Sequence, residues 1–500
     1  MLPSEVEVAI IGAGFGGIGA AIELDRAGFR DFAVLERAPE VGGTWWANSY
    51  PGCQCDVPSS LYSFSFAPKP DWPRSYAEQP DILDYLLDCG DRFGIRDRIH
   101  VDCEMNEAAW EDDDQRWRVD TSRGTLRARF LIAAPGLLSE PKTPAVPGLD
   151  DFPGPTIHTA RWRDAPDLRG TRVAVVGTGA TAIQIVPRLQ PDVDRMYVFQ
   201  RTPPWVLPHN DREISPRLQR LYARRPRLQQ LSRAGVYALR EFLVLPLAVT
   251  PKLGKLMELI AARQRRKEIS DPELRREVTP DYAIGCKRIL LTSDWYPALD
   301  QPNVELVTAG LEAVEGNTLV ASDESRHEVD AIIFATGFSP TDPPIAHQVR
   351  GPDGRTLHES WDGAPEAYLG ATVAGFPNMF LLYGPNTNLG HNSIVYMIES
   401  QLRYVLGALR AARERGIGRL EVRRDVQRSY NEDIQRRLKD TVWNAGRCAS
   451  WYLDDRGENP VMWPDFTFRF RRLASRFELD EHEWAPQKKE APRGAPLSSH

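Results

Sequence analysis

The sequence predicts an α/β protein, and three observations carry the prediction. A short apolar-rich run ends in a glycine-rich turn at residue 12, the same arrangement returns at residue 177, and between residues 211 and 280 the chain turns basic and helix-forming.

Residues 5–11, EVEVAII, are expected as a strand that runs into Gly12-x-Gly14-x-x-Gly17. A helix-like segment, IGAAIELDRAG, and a second strand, FAVLE, follow. In that setting the glycines let the backbone approach a pyrophosphate, whose charge then rests on a helix N-terminus. The grammar recurs over 172–201 as RVAVV, GTGATAIQIVPRLQ and MYVFQR, with Gly177-x-Gly179-x-x-Ala182 at the turn. The fold class is therefore α/β, with two Rossmann-like dinucleotide-binding domains and a helical insertion. Two further strands ending in glycine, FLIAAPG (130–136) and VDAIIFATG (329–337), are placed to carry the chain between domains.

The two units differ at one slot. Glu36 ends the second strand of the first unit, 19 residues after Gly17, where a carboxylate accepts hydrogen bonds from a ribose 2′-hydroxyl and repels a 2′-phosphate. Nineteen residues after Ala182 the same slot holds Arg201, followed by Thr202. Charge-assisted hydrogen bonds to a phosphate contribute roughly 1.5–3 kcal/mol each. The opposite charges thus predict FAD in the first fold and NADPH, in preference to NADH, in the second.

Length and composition bound the rest. A chain of 500 residues, 42% hydrophobic and 26% charged, has room for about three domains, each with its own core. The net charge of −7 argues against nucleic acid as a partner. The opening MLPSEVEVAIIGAG has no basic n-region or cleavage site, so no secretory signal is expected. Six cysteines, mostly far apart, fit a reducing cytosol and a cytoplasmic protein. Cys53 and Cys55 form a C-x-C pair, but with no second pair or spaced histidines no metal site is expected.

Residues 211–280 hold 16 Lys/Arg against 8 Asp/Glu. They read as a helical insertion with solvated basic faces, contact with an acidic partner or a membrane surface being the alternative. The domain plan is a first part of the FAD-binding domain at 1–145, a first part of the NADPH-binding domain at 150–210 and the insertion at 211–284. The second NADPH-binding part spans 285–330 and the second FAD-binding part 331–485, with a disordered tail at 486–500.

Two stretches carry a family resemblance. GGTWWANSYPGCQCD (42–56) contains Gly42, Gly43, Trp45, Tyr50, Pro51, Gly52 and Asp56, and FPGPTIHTARW contains Phe152, Gly154, His158 and Trp162. On these the chain, from about residue 5 to 470, resembles the class B flavoprotein monooxygenases, specifically the type I Baeyer–Villiger monooxygenases. Their motifs are Gly-Gly-x-Trp with Tyr-Pro-Gly and a final Asp, and Phe-x-Gly-x-x-x-His-x-x-x-Trp. The family usually continues with proline or aspartate, and this chain has Arg163.

The resemblance implies an FAD loop made of Gly43, Thr44, Trp45 and Asp56, and a hinge between the nucleotide domains at Gly154, His158 and Trp162. In that hinge His158 is structural and transfers no proton in the chemistry. It also implies catalytic roles for Arg288 and Asp56, with Lys287 joining Arg201 and Thr202 at the 2′-phosphate and Trp451 contacting the nicotinamide nucleotide. The expected reaction inserts one oxygen atom beside a ketone carbonyl through a peroxide held on the flavin. A permanent cation at Arg288 would keep that oxidant anionic, and Asp56 would hold the guanidinium in place. FATGF (334–338) and LYGPNTNLGHNS (382–393) look like the returning strand and the FAD-contacting loop of the flavin domain.

Three rivals compete with this reading. A flavin monooxygenase restricted to sulfides or amines needs no anion-stabilising arginine. A disulfide reductase needs a C-x-x-x-x-C pair that the sequence lacks near its first fold. A sensor would bind FAD and NADP(H) without turnover. The expected partners are molecular oxygen and a small ketone, with sulfide second; GCKRILLTSDWYPAL and RTPPWVLP lean toward aryl or linear ketones.

Overall fold

The computed structural model of the chain describes residues 1–338, 342–448, 450–454 and 456–488. Glu5–Ile11 lies inside an eight-stranded sheet. It pairs in parallel with Phe32–Leu35 on one side (Ile11 opposite Leu35) and with Gly124–Ala133 on the other (Ile11 opposite Ala133). Met379–Leu381 pairs with Gly124–Ala133, whose earlier residues run antiparallel to Arg116–Thr121. Strand Phe32–Leu35 is buried at every position, as expected where both faces of a parallel sheet are covered. Helix Phe15–Arg26 crosses between the first two strands, and a Cβ on its Gly17 would collide with the carbonyl oxygen of Gly12.

The second sheet is wholly parallel, in the order Val304–Val307, Arg195–Phe199, Arg172–Val176, Ala331–Phe334 and Thr156–His158. This corrects the expectations that 334–338 is the returning strand of the flavin domain and that the second FAD-binding part begins at 331. Ala331–Phe334 lies between Arg172–Val176 and Thr156–His158 in the second sheet, and the chain crosses back only after Phe334. The run AIIF is buried throughout and fits among the parallel strands of either sheet, so its composition cannot choose between them.

The insertion comprises helices Pro216–Arg224, Pro226–Glu241, Gly254–Glu268 and Pro272–Glu277. Proline opens three of them, and Ser215 and Asp271 cap two by accepting the N–H of Leu218 and Glu273. Pro486, expected in the tail, instead ends strand His482–Pro486. Gln487 and Lys488 continue the pairing, with Gln487 N donating to the Gly416 carbonyl at 2.7 Å and Lys488 N to Gln115 Oε1 at 2.8 Å. The remainder of the expected tail lies outside the described residues. Among the described residues no helix is long and apolar enough to cross a membrane.

Candidate active site

The first glycine turn folds as its spacing demands. Gly12 has a φ of +94° and lies so close to Ala134 that a Cβ would sit 2.5 Å from its carbonyl oxygen. Gly14 begins helix Phe15–Arg26, which has no side-chain cap and no acid in its first turn, so its N–H groups remain free for an anion. Gly43, at φ +54°, faces Gly14 across this opening, with a built Cβ 3.1 Å from the Gly14 Cα. Thr44 opens the short helix Thr44–Ala47, and buried Trp45 donates its indole N–H to Tyr62 Oη at 3.1 Å. Ser49 Oγ, on the same loop, is buried with no hydrogen-bond partner among the described residues. Glu36 is buried at the end of its strand and accepts from Ala13 N at 2.7 Å and Ala38 N at 2.8 Å. Burial pushes its carboxyl up, against the pull of those N–H groups.

The second turn repeats the plan. Gly177 has a φ of +110° beside the Ala335 carbonyl, and Gly179 faces open space. Helix Ala182–Leu189 starts there, again with no side-chain cap and no acid in its first turn. Thr178 Oγ1 donates to the Thr202 carbonyl at 3.2 Å. Arg201 is exposed, and no carboxylate pairs with it among the described residues. Lys287 lies 5.2 Å over the Tyr282 ring. Burial first, then the nearby Arg201 charge, lowers its ammonium below the usual lysine value. Two cations brought together in this way fit a doubly charged phosphate. The uncapped helix N-termini, the glycine-lined approaches and this cation pair fit two dinucleotides, one of them carrying a 2′-phosphate.

Arg288 and Asp56 meet between the two nucleotide units. Nε and Nη2 of the arginine donate to Oδ2 and Oδ1 of the carboxylate at 2.8 and 2.7 Å. About a third of each side chain is exposed, 35% for Arg288 and 29% for Asp56, so a small molecule can reach the pair. Burial pushes the Asp56 carboxyl up, but the charge and hydrogen bonds of Arg288 and the charge of Arg240 hold it below the usual value. The Asp56 charge in turn raises Arg288, against burial. Tyr452 borders the pair; burial raises its hydroxyl to about 12, opposed by the Arg288 charge. Trp451 is 41% exposed, and its ring lies tilted against Tyr452 with centroids 4.5 Å apart, one residue removed from the arginine.

The residues expected to form a hinge, Gly154, His158 and Trp162, lie at the crossing between the sheets. Gly154 does not adopt a positive φ; it is required because a Cβ would collide with the Asp330 carbonyl and come within 2.8 Å of the Phe152 ring. His158 ends the edge strand opposite Phe334, and its Nδ1 accepts the Ala160 N–H at 3.1 Å. Burial lowers its imidazole, which keeps it neutral. Trp162 is half-buried against the main core. Arg163, the departure from the family pattern, stacks 3.7 Å over the Trp46 ring and donates to the Trp46 carbonyl at 3.3 Å.

Sequence reasoning missed several contacts. Arg240, on helix Pro226–Glu241, donates to the Asp56 carbonyl at 3.2 Å. Tyr50 Oη donates to Gln184 Oε1 at 2.9 Å, joining the flavin loop to the second glycine-turn helix. Glu241 is buried and accepts from Asn392 Nδ2 and Thr467 Oγ1 at 2.5 Å each, with His391 Nε2 3.7 Å away. Nothing marks these residues in the sequence, where Arg240 is one arginine among many in a basic stretch. The cysteines need a correction too. Cys286, beside Lys287, is disulfide-bonded to Cys448 rather than reduced, and Cys53, Cys55, Cys89 and Cys103 are free and buried. Among the described residues no third His, Cys, Asp or Glu ligand is grouped with Cys53 and Cys55. Asp342, His347 and His358 lie close enough to share a cation, on the surface and apart from that pair.

A family model described as pyridine nucleotide-disulphide oxidoreductase matches residues 9–238. A Baeyer-Villiger monooxygenase of Streptomyces coelicolor is 52% identical over 480 residues, covering 96% of this chain and 92% of the relative. Among solved structures, cyclohexanone monooxygenase from Rhodococcus sp. Phi1 bound to NADP+ superposes with a TM-score of 0.86 at 27% identity, over 97% of this chain and 100% of that one. OTEMO in complex with FAD and NADP gives 0.85 at 26% identity, over 96% and 99%.

Proposed function

The chain belongs to the Baeyer–Villiger monooxygenase family, and on that premise we propose how its residues insert one oxygen atom beside a ketone carbonyl to give an ester or lactone. The cofactors are FAD and NADPH, with molecular oxygen as co-substrate. Bound FAD supplies the electron transfer and oxygen activation, and NADPH the hydride.

Arg288 supplies a permanent positive charge where negative charge develops on the substrate carbonyl oxygen and on the attacking oxidant. Asp56 orients that guanidinium through two parallel hydrogen bonds and stays ionised, because its own carboxyl is held below the usual range. Arg240 fixes the Asp56 backbone from the insertion side. The turn at Gly12, Gly14, Gly17 and Gly43 would hold the FAD pyrophosphate, with Glu36 at the ribose. Gly177, Gly179 and Ala182 would hold the NADPH pyrophosphate, with Arg201, Thr202 and Lys287 at the 2′-phosphate. Sulfides, which would themselves attack an electrophilic oxidant through a sulfur lone pair, would use the same opening with less dependence on Arg288.

The observation that carries this reading is the half-exposed Arg288–Asp56 fork between two glycine-turn nucleotide sites. The test is aerobic NADPH oxidation with aryl, linear and cyclic ketones under isotopically labelled oxygen. One labelled oxygen atom should appear in an ester or lactone. NADPH consumption with no labelled ester from any ketone would overturn the reading.

A further inference from the structure

The insertion turns an apolar face to solvent. Helix Pro226–Glu241 seats one side on the body of the protein, through Gln229 Nε2 to the Lys69 carbonyl at 2.7 Å, Arg233 to the Ser60 carbonyl, and Arg240 to Asp56. On its opposite side Leu228, Leu231 and Leu239, followed by Phe242, recur at helical spacing and are 43%, 69%, 70% and 64% exposed. Helix Gly254–Glu268 adds Leu256 and Leu259 at 66% and 65%. Scattered single exposed leucines need no explanation, but a run of them confined to one subdomain does.

The charge around this face has one sign. Residues 216–267 contain 13 Lys/Arg and 2 Asp/Glu. Glu241 is buried and Glu258 half-buried, so no carboxylate of the segment is fully exposed, whereas Arg220, Arg224, Lys252, Lys255 and Arg263 are. A second copy docked through the same patch would bring two such cationic faces together, which opposes a symmetric dimer. Apolar side chains ringed by cations suit an anionic lipid bilayer, which takes the leucines into its headgroup boundary and the cations against its phosphates.

We propose that the 216–267 part of the insertion docks the protein on an anionic membrane surface, lying on it without spanning it. No helix among the described residues could span one. Arg240, on the same helix, bonds to Asp56, so docking would set the Arg288–Asp56 opening close to the lipid boundary, where apolar ketones partition. That last consequence rests on the proposed function; the docking itself does not.

The experiment is co-sedimentation of the FAD-loaded protein with phosphatidylcholine vesicles and with mixed phosphatidylcholine–phosphatidylglycerol vesicles. The anionic vesicles should bind it more than tenfold better, since each cation at the surface contributes roughly fivefold in partitioning, and salt should release it. Leu231→Glu with Leu239→Glu, and separately Arg220→Glu with Arg224→Glu, should each abolish binding while bound-flavin absorbance and Tm stay unchanged. Equal binding to neutral and anionic vesicles, or unaltered binding by both variants, would overturn the proposal. So would an oligomer in light scattering that the leucine variant dissolves, which would assign the face to a second copy. Binding to polyglutamate that ignores the leucine changes would assign it to an acidic macromolecule and overturn the proposal equally.

Discussion

Arg288 grips Asp56 with two hydrogen bonds of 2.8 and 2.7 Å across 232 residues of sequence, and the Arg240 guanidinium holds the backbone of the same aspartate. A bidentate fork fixes the plane of the guanidinium as well as its position. Arg288→Ala should therefore leave flavin reduction by NADPH largely intact and lower ester formation by roughly 10²–10³-fold, the usual effect of removing a group that stabilises transition-state charge. Single-turnover reduction followed by ester quantitation separates the two steps, and unchanged ester formation would remove the assigned role. Asp56→Asn should lower ester formation less, because the cation remains but loses its fixed orientation.

Arg201 faces solvent at the end of its strand with no carboxylate partner among the described residues. Arg201→Ala should raise KM for NADPH by roughly ten- to a hundredfold while leaving KM for NADH nearly unchanged. Equal effects on the two coenzymes would show that the 2′-phosphate lies elsewhere.

Lys287 is held below the usual lysine value by burial and by Arg201. A lowered lysine keeps its charge below its own pKa and loses it as pH rises through that value. KM for NADPH should accordingly begin to rise at a pH below the ordinary lysine range, and Lys287→Arg should flatten that rise. An alkaline KM profile identical in the wild type and the arginine variant would rule out this lysine as the titrating group.

Cys286 and Cys448 join segments 162 residues apart, and Cys286 is the immediate neighbour of Lys287. Under denaturing, non-reducing conditions four thiols should react with a thiol reagent, against six after reduction. Cys286→Ser with Cys448→Ser should lower unfolding stability by about 2–5 kcal/mol, read by denaturant titration. Six thiols before reduction would mean that the purified protein lacks the bond.

Arg163 stacks on Trp46 of the flavin loop and so joins the hinge to that loop. Arg163→Ala should loosen the loop, which can be read as faster FAD loss on dilution, with a smaller change in KM for NADPH.

By itself the sequence determined what is built within about thirty residues of chain. Each glycine turn, the strand before it and the uncapped helix after it form from local backbone preferences, and the charge at Glu36 or Arg201 follows from fixed spacing. The flavin-loop and hinge motifs were legible for the same reason, although the close approach of Asp330 to Gly154 was not. Tertiary structure alone decided the seat of Ala331–Phe334 in the second sheet, the Tyr50–Gln184 link, Arg240 as the second partner of Asp56 and the Cys286–Cys448 bond. These contacts join residues far apart in the chain. Strand AIIF suits the parallel part of either sheet, and an arginine in a basic helix carries no mark of which one faces inward. Only the tertiary packing of the whole chain selects them.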